Sequence, residues 1–536
     1  MLLPTVLPAL GALILTVLNP NLSRPELCAG SPTDEPSTMT EIRPAMTSQS
    51  TIALRESLAT EFRNFLPADA VLSAYEDLAP YECDGLSAYR QAPMLAVLPD
   101  TVEQIQHVMR TCSARGVPVV ARGAGTGLSG GALPLANGVL LSLAKFNRIL
   151  EIDPDNRWAR VQPGVRNLAI SESVHALNLY YAPDPSSQIA CSIGGNVAEN
   201  AGGVHCLKYG LTVHNILKLD IVSVDGQRAT IGADALDSAG YDLLALLTGS
   251  EGMLGIIVEV TVRLLPLPDV AKVIMAAFDD ATQAGNGVAG IIGAGILPAG
   301  LEMMDNPAIR ATENFVHAGY PLDAEAILLC ELDGTAAEVD AQIEQVSRVL
   351  NEHGASDVRV ARDESERLRF WSGRKAAFPA VGRISPDYYC IDGTIPRRHL
   401  GTVLQRIAEL SGEYGQRVAN VFHAGDGNLH PLILYDGNKP GELARTEELG
   451  AKILELCIDV GGTITGEHGV GMEKIDQMCI QFDAKTLAQF HAVKAAFDSN
   501  GLLNPGKAVP TLARCAEFRA MHVHHGELPF PDLERF

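Results

Sequence analysis

Two imidazoles, His423 and His430, bracket a glycine-rich turn in Phe422-His-Ala-Gly-Asp-Gly-Asn-Leu-His-Pro431, and Gly466-Glu-His-Gly-Val-Gly471 follows some forty residues later. Two histidines and a carboxylate are ligand types for a borderline divalent ion such as Zn²⁺, Mn²⁺ or Fe²⁺. Loops held by flanking glycines can bring them together, so His423, His430 and Glu467 are candidate metal ligands. The spacing is neither H-E-x-x-H nor that of a zinc finger. A metal-free hydrogen-bonded cluster and ordinary core histidines therefore stay open as alternatives. His468 is the candidate general base, because imidazole alone has an unperturbed pKa near working pH. In an extended segment Glu467 and His468 would point to opposite sides, one ligating while the other faces substrate. In Phe370-Trp-Ser-Gly-Arg-Lys-Ala-Ala-Phe378, Arg374 can hold a carboxylate in a bidentate pair, or be a solvated helix charge.

A second kind of chemistry is written in Arg122-Gly-Ala-Gly-Thr-Gly-Leu-Ser-Gly-Gly131, directly after the β-rich run Val117-Pro-Val-Val-Ala121. Glycine tolerates positive φ and lets backbone approach a ligand, and successive N–H groups in such a turn form an anion-binding concavity suited to a pyrophosphate. Gly125-x-Gly127-x-x-Gly130 matches the Rossmann fingerprint in letters, and Glu151 lies about 20 residues on, where a ribose-binding acid is expected. The context does not match. A Rossmann loop opens a helix, whereas Gly131-Ala-Leu-Pro-Leu-Ala-Asn-Gly138 carries a proline and a second glycine there, and Val139-Leu-Leu-Ser-Leu143 reads as a strand. A strand–loop–strand pyrophosphate cradle is the expectation. Two more glycine-rich segments, residues 183–203 and 249–257, carry Asn and Ser among small residues. Together the three read as a groove for a long polar ligand, since a turn needs only one or two glycines.

The elements that must position these residues fit a 536-residue chain, long enough for two or three domains. A formal charge of −23 argues against a nucleic-acid partner. Ten scattered cysteines without a C-x-x-C pair exclude an iron–sulfur cluster or a Cys-rich zinc site on this chain and fit reduced, buried thiols. Residues 1–18 are apolar, but Pro4 and Pro8 interrupt them and no Lys or Arg precedes Arg24. We read residues 1–50 as an unstructured or mis-assigned extension, ahead of a membrane-contacting segment or an export signal. Residues 51–91 read as a helical lead-in, with an amphipathic helix over 54–66. From 92 to 270, short β-rich runs alternate with helices over 102–115 and 167–177, an α+β pattern. From 271 to 510 a second α+β domain includes strands over 326–332 and 418–422. Residues 511–536 are a tail whose His cluster at 522–525 reads as incidental or interfacial rather than as a metal site.

Together these motifs resemble the FAD-dependent 2-hydroxyacid oxidoreductases of the vanillyl-alcohol-oxidase (p-cresol methylhydroxylase) flavoprotein superfamily. The likeness runs from about Pro80 to Phe536. It is carried above all by Tyr181-Ala-Pro-Asp-Pro-Ser-Ser-Gln-Ile-Ala-Cys-Ser-Ile-Gly-Gly-Asn-Val-Ala-Glu-Asn200, Ser385-Pro-Asp-Tyr-Tyr-Cys-Ile-Asp-Gly-Thr394 and the terminal Leu528-Pro-Phe-Pro-Asp-Leu-Glu-Arg-Phe536. The resemblance implies an α+β fold: a two-part FAD-binding domain of the p-cresol methylhydroxylase type, then an FAD-linked oxidase C-terminal substrate domain. It implies FAD contacts from Arg122, Gly123, Ala124, Gly125, Thr126, Gly127, Leu128, Ser129 and Gly130, and from Pro183, Ser192, Gly194, Gly195, Asn196, Asn200, Glu251, Gly255 and Ile257. Members that attach FAD covalently often do so through a His in the pyrophosphate loop. Thr126 stands near that place, so noncovalent FAD is expected. The resemblance also implies metal ligation by His423, His430 and Glu467, His468 as base and Arg374 as carboxylate anchor. Phe378 and Tyr389 stand where hydroxyglutarate enzymes place polar substrate contacts, which favours a small acid. Glycolate or D-lactate would be oxidised to glyoxylate or pyruvate by hydride transfer to flavin N5. Iron–sulfur and second flavin-type subunits of a glycolate-oxidising complex would pass electrons toward membrane quinone. That places the chain in the cytoplasm, indirectly associated with the inner face of the cytoplasmic membrane. A D-lactate or D-2-hydroxyglutarate dehydrogenase with another acceptor, or a non-catalytic flavin-binding scaffold, are the alternatives.

Overall fold

The structure, a computed structural model, describes residues 48–235 and 240–511; the apolar N-terminal run, the C-terminal His cluster and the terminal Leu528–Phe536 motif lie outside them. A helix covers Ser48–Phe62. The first sheet contains β1 (Val71–Leu72), β2 (Leu95–Val97), β3 (Val119–Arg122) and β4 (Val139–Ser142) in the order β1-β2-β4-β3. The helix Val102–Arg115 that leads into β3 begins at Thr101, whose side chain accepts from Gln104 N, and ends at Gly116 with φ 62°. These are the cap residues that local physics favours at the two ends. β3 and β4 run parallel, pairing Val119 with Val139, and no helix lies in the 123–138 loop between them. The strand–loop–strand expectation therefore holds where a Rossmann unit would have placed a helix.

A second sheet is built from β5 (Ile149–Asp153), β6 (Trp158–Val161), and, past the short β7 (Leu179–Tyr180), β8 (Ile216–Val222), β9 (Arg228–Gly232) and β10 (Ile256–Arg263). It is antiparallel in the order β5-β6-β10-β8-β9. β11 (Leu265–Pro266) pairs with β7 and leads into the cap. The segment expected to be helical over 167–177 is an α-helix over Asn167–Val174 followed by a 3₁₀ turn over His175–Leu177.

The cap is one seven-stranded sheet in the order β15-β12-β14-β13-β17-β18-β16. Its strands are β12 (Val270–Phe278), β13 (Gly300–Asp305), β14 (Ala326–Gly334), β15 (Ala355–Val360), β16 (Asp387–Cys390), β17 (Val418–Phe422) and β18 (Pro431–Tyr435). Every pairing is antiparallel. All five residues of β17 are buried. Fully burying a side chain such as Phe422 stabilises by about 1.5–3 kcal/mol, which fixes the strand from which the histidine loop departs. Among the described residues, seven cysteines are free thiols. Cys479 is disulfide-bonded, so the expectation of reduced thiols fails at that position; spacing along a chain does not reveal which sulfurs meet in space.

Candidate active site

All three glycine-rich segments line one cavity of about 370 Å³, whose far wall comes from the cap. Gly123, Ala124, Gly125, Thr126, Gly127 and Leu128 contribute from the loop after β3; Ser192, Gly194, Gly195 and Asn196 from the second segment; and Glu251, Gly255 and Ile257 from the third. The small walls are required by packing. A Cβ on Gly123 would sit 2.2 Å from Ser192 Oγ, and one on Gly194 would sit 2.5 Å from Pro163 Cβ. A slot of exposed main chain of this kind accepts a pyrophosphate through its amides.

Five of the expected cofactor contacts lie outside that wall. Arg122 turns away: its Nη1 donates to Cys83 O at 2.7 Å and its guanidinium stands 5.7 Å from the Tyr81 ring. It props the loop from behind, since a Cβ on Gly125 would fall 2.2 Å from its Nη2. Ser129 and Gly130 face the cap: Ser129 Oγ donates to His468 O at 2.9 Å, and Gly130 packs near Met472. Pro183 O accepts from Asn167 Nδ2 at 3.1 Å, while Asn200 closes a helix with φ 54° and accepts from Val213 N. Their neighbours Pro185, Ser186 and Ser187 stand at the wall instead.

On the cap side, His430, Glu467 and His468 line the cavity. His423 sits behind them, 3 % exposed, at the end of β17. The turn to His430 is closed by Gly427 N donating to His423 O at 3.1 Å. Gly427 has φ 85°, and a Cβ there would lie 2.2 Å from Ile395 O, so only glycine fits. His423 Nε2 reaches Glu467 Oε1 at 3.2 Å, and His430 Nε2 lies 3.3 Å from the same oxygen. One ligand atom from each of the three lies within 4.8 Å of the others, and His430 Nε2 is buried without a hydrogen-bond partner. Two imidazole nitrogens and a carboxylate converging around an orphaned lone pair fit a small divalent ion.

Glu467 and His468 both face the cavity, contrary to the expectation for an extended segment. The reason is Asp392, fully buried, around which the segment curls. Its carboxylate accepts from Thr465 Oγ1 at 2.6 Å, from the amides of Gly466, Glu467 and His468, and from Asn428 Nδ2 at 2.9 Å. Burial would raise the Asp392 carboxyl, but His468 and the buried Lys474 ammonium hold it well below the usual range. Asp392, His430 and His468 also lie close enough together to hold an ion, yet the Asp392 oxygens are already occupied by these donors. Burial likewise pushes Glu467 up, and His423 and its neighbouring imidazoles outweigh it, bringing it to about 2. His468 moves the other way: burial pulls it down to about 4, so it is neutral near pH 7. Its ring stacks on His430 at 4.8 Å.

Arg374 is 1 % exposed and is not among the residues that line the cavity. Its Nε donates to Glu302 Oε2 at 2.7 Å, and its Nη2 is buried without a partner. Lys375 and Phe378 from the same stretch line the cavity. Tyr389 does not; it is buried on the opposite side of β16 from Tyr388, which packs on Phe378 at 5.9 Å. Successive strand residues face opposite sides, so Phe378 can shape the substrate end and Tyr389 cannot. Sequence reasoning missed Glu302, Asp392, Lys474 and Lys375. The available signal was an ionisable residue inside an apolar strand, as in Leu301-Glu302-Met303-Met304, which requires a partner.

Residues 93–232 match the family model described as FAD binding domain, and residues 267–508 the one described as FAD linked oxidases, C-terminal domain. Glycolate oxidase subunit GlcD of Escherichia coli K12 is 67 % identical over 482 residues, covering 90 % of this chain and 97 % of that one. D-lactate dehydrogenase of Archaeoglobus fulgidus is 32 % identical, covering 84 % of this chain and 97 % of that one. Among solved structures, p-cresol methylhydroxylase with substrate bound superposes with a TM-score of 0.72 at 19 % identity, covering 87 % of this chain and 98 % of that chain.

Proposed function

The chain belongs to the FAD-linked oxidases and is an FAD-dependent oxidoreductase with a two-part FAD-binding domain and an α+β cap; from that premise we propose that it oxidises small 2-hydroxy acids, glycolate to glyoxylate and D-lactate to pyruvate. The observation that carries this reading is the convergence of His430, Glu467 and His468 on one wall of the cofactor cavity, with His423 against Glu467 and Arg374 joined to His423 through Glu302. When bound, FAD supplies a two-electron acceptor at flavin N5 for the hydride leaving C2 of the acid. Attachment is noncovalent, Thr126 standing in the pyrophosphate loop near the place where covalent members carry a His. A divalent ion on His423, His430 and Glu467 would supply Lewis-acid polarisation of the substrate hydroxyl.

The chain's own residues do the rest. His468, neutral and at the cavity wall, takes the hydroxyl proton. The unpartnered Arg374 Nη2 supplies a charge-assisted donor for the substrate carboxylate. Phe378 narrows the substrate end and favours a two- or three-carbon acid over a dicarboxylate. Burial of these groups excludes water and strengthens each electrostatic contact.

Electrons then leave through partner subunits, an iron–sulfur one and a second flavin-type one, toward membrane quinone. The E. coli relative is named as a glycolate oxidase subunit, and this chain carries no iron–sulfur motif. No helix among the described residues is long and apolar enough to cross a membrane, so association with the cytoplasmic membrane from its inner face would run through those partners. A D-lactate dehydrogenase with another acceptor is the second reading, favoured by the A. fulgidus relative. Turnover of glycolate, D-lactate and D-2-hydroxyglutarate with a soluble dye acceptor separates the readings. Glycolate and D-lactate are expected to react and the dicarboxylate to lag by at least tenfold. Exclusive use of D-2-hydroxyglutarate would overturn the proposal.

A further inference from the structure

Glu302 lies in the middle of the cap sheet on β13 and is completely buried. One oxygen, Oε1, meets His423 Nδ1 at 2.7 Å, and the other, Oε2, accepts from Arg374 Nε at 2.7 Å. No other hydrogen-bonded partner stands at either oxygen among the described residues. From this geometry we propose that Glu302 is a positioning residue that ties the carboxylate-binding arginine to the metal-binding histidine, so that occupancy of one site raises the affinity of the other. This rests on the metal and substrate reading given above.

The chemistry is direct. A carboxylate on Nδ1 requires that nitrogen to carry the proton, which makes Nε2, facing Glu467 Oε1 at 3.2 Å, the nitrogen whose lone pair would be free for an ion. The same carboxylate holds Arg374 by Nε, fixing the plane of the guanidinium and leaving Nη2 unpartnered. Since β13 is hydrogen-bonded on both sides, to β14 and to β17, the backbone of Glu302 cannot move to serve the two partners in turn. An ordered His423 therefore orders Arg374, and the reverse, as thermodynamic linkage demands.

Glu302→Gln tests this, because an amide presents one acceptor and one donor end and must lose one of the two donors it now accepts from. The measurements are Zn²⁺ affinity of the FAD-loaded protein by competition with a chelating indicator, and propionate affinity from perturbation of the flavin absorbance. Propionate has the carboxylate but no hydroxyl for the ion. The expected result is loss of Zn²⁺ affinity by about 10–100-fold together with weaker propionate binding, at full FAD content. Loss of only one affinity, or of neither, would overturn the coupling. If Glu302→Gln does not retain FAD, Arg374→Met serves: Zn²⁺ affinity should fall although residue 374 touches no ion, and unchanged affinity would overturn the inference. Wild-type protein that takes up no Zn²⁺ would overturn the metal reading and the coupling together, whereas Zn²⁺ bound equally by wild type and variant overturns the coupling alone.

Discussion

In the proposed reaction, proton removal turns on a single imidazole. Burial pulls His468 down to about 4, below its ordinary value, so the neutral form prevails from about pH 5 upward and only deeper acid protonates it. kcat/KM is therefore expected to stay level on the acid side down to about pH 5 and to fall below that. An acid limb centred near 6.5, the value of an unperturbed imidazole, would contradict the assignment. His468→Ala should lower kcat by roughly 10²–10⁴-fold with FAD content unchanged, measured by dye-coupled turnover alongside flavin absorbance. At this scale His423, His430, Glu467 and His468 were legible, because residue type and flanking glycines announce them. Glu302 and Asp392 were not: a carboxylate says nothing in sequence about a histidine 121 residues away, or about the backbone amides it will collect. The direction of the Arg122 side chain, which bonds to Cys83 O, was hidden for the same reason, since a charge beside a phosphate loop can also be the prop beneath it.

At the scale of elements, the site depends on how the 465–471 segment is held. Asp392 gathers it from the cap side, and Glu251 clamps it from the FAD-binding side by accepting from Val470 N at 2.7 Å and Gly471 N at 2.8 Å. Asp392→Asn takes from the fully buried Lys474 one of its two carboxylates, the other being Glu473 at 3.1 Å. Breaking a buried pair costs about 3–5 kcal/mol, so a lower melting temperature and at least a tenfold loss of turnover are expected. Gly469 has φ 80°, and a Cβ there would sit 2.1 Å from Glu199 Oε2. Gly469→Ala should cost about 1–3 kcal/mol and weaken FAD retention, both readable in thermal melts with and without added FAD. Local elements were largely legible: the helix expected over 102–115 forms over Val102–Arg115, and Pro134 and Gly138 announced the absence of a Rossmann helix. The strand order of the cap was not, because β13 pairs with β17 across more than a hundred residues and non-local pairing leaves no trace in periodicity.

For the molecule as a whole, the cofactor cavity lies where the FAD-binding part meets the cap: the FAD-binding segments supply most of its wall, and the cap closes it with Lys375, Phe378, Pro379, His430, Glu467 and His468. The three glycine-rich segments predicted that shared groove because their composition made no sense as three independent turns. With no iron–sulfur motif on the chain, the purified protein should reduce a soluble dye readily and a quinone analogue slowly, and partner subunits should restore quinone reduction; equal rates without them would remove the need for partners. The proposed function stands or falls with reduction of the flavin held in this cavity by a small 2-hydroxy acid. It is tested most directly by recording the visible spectrum of the FAD-loaded protein under anaerobic conditions and adding glycolate, then D-lactate. The oxidised-flavin bands are expected to bleach on addition of either acid; bands that persist with both, in protein holding FAD and Zn²⁺, would overturn the proposed function.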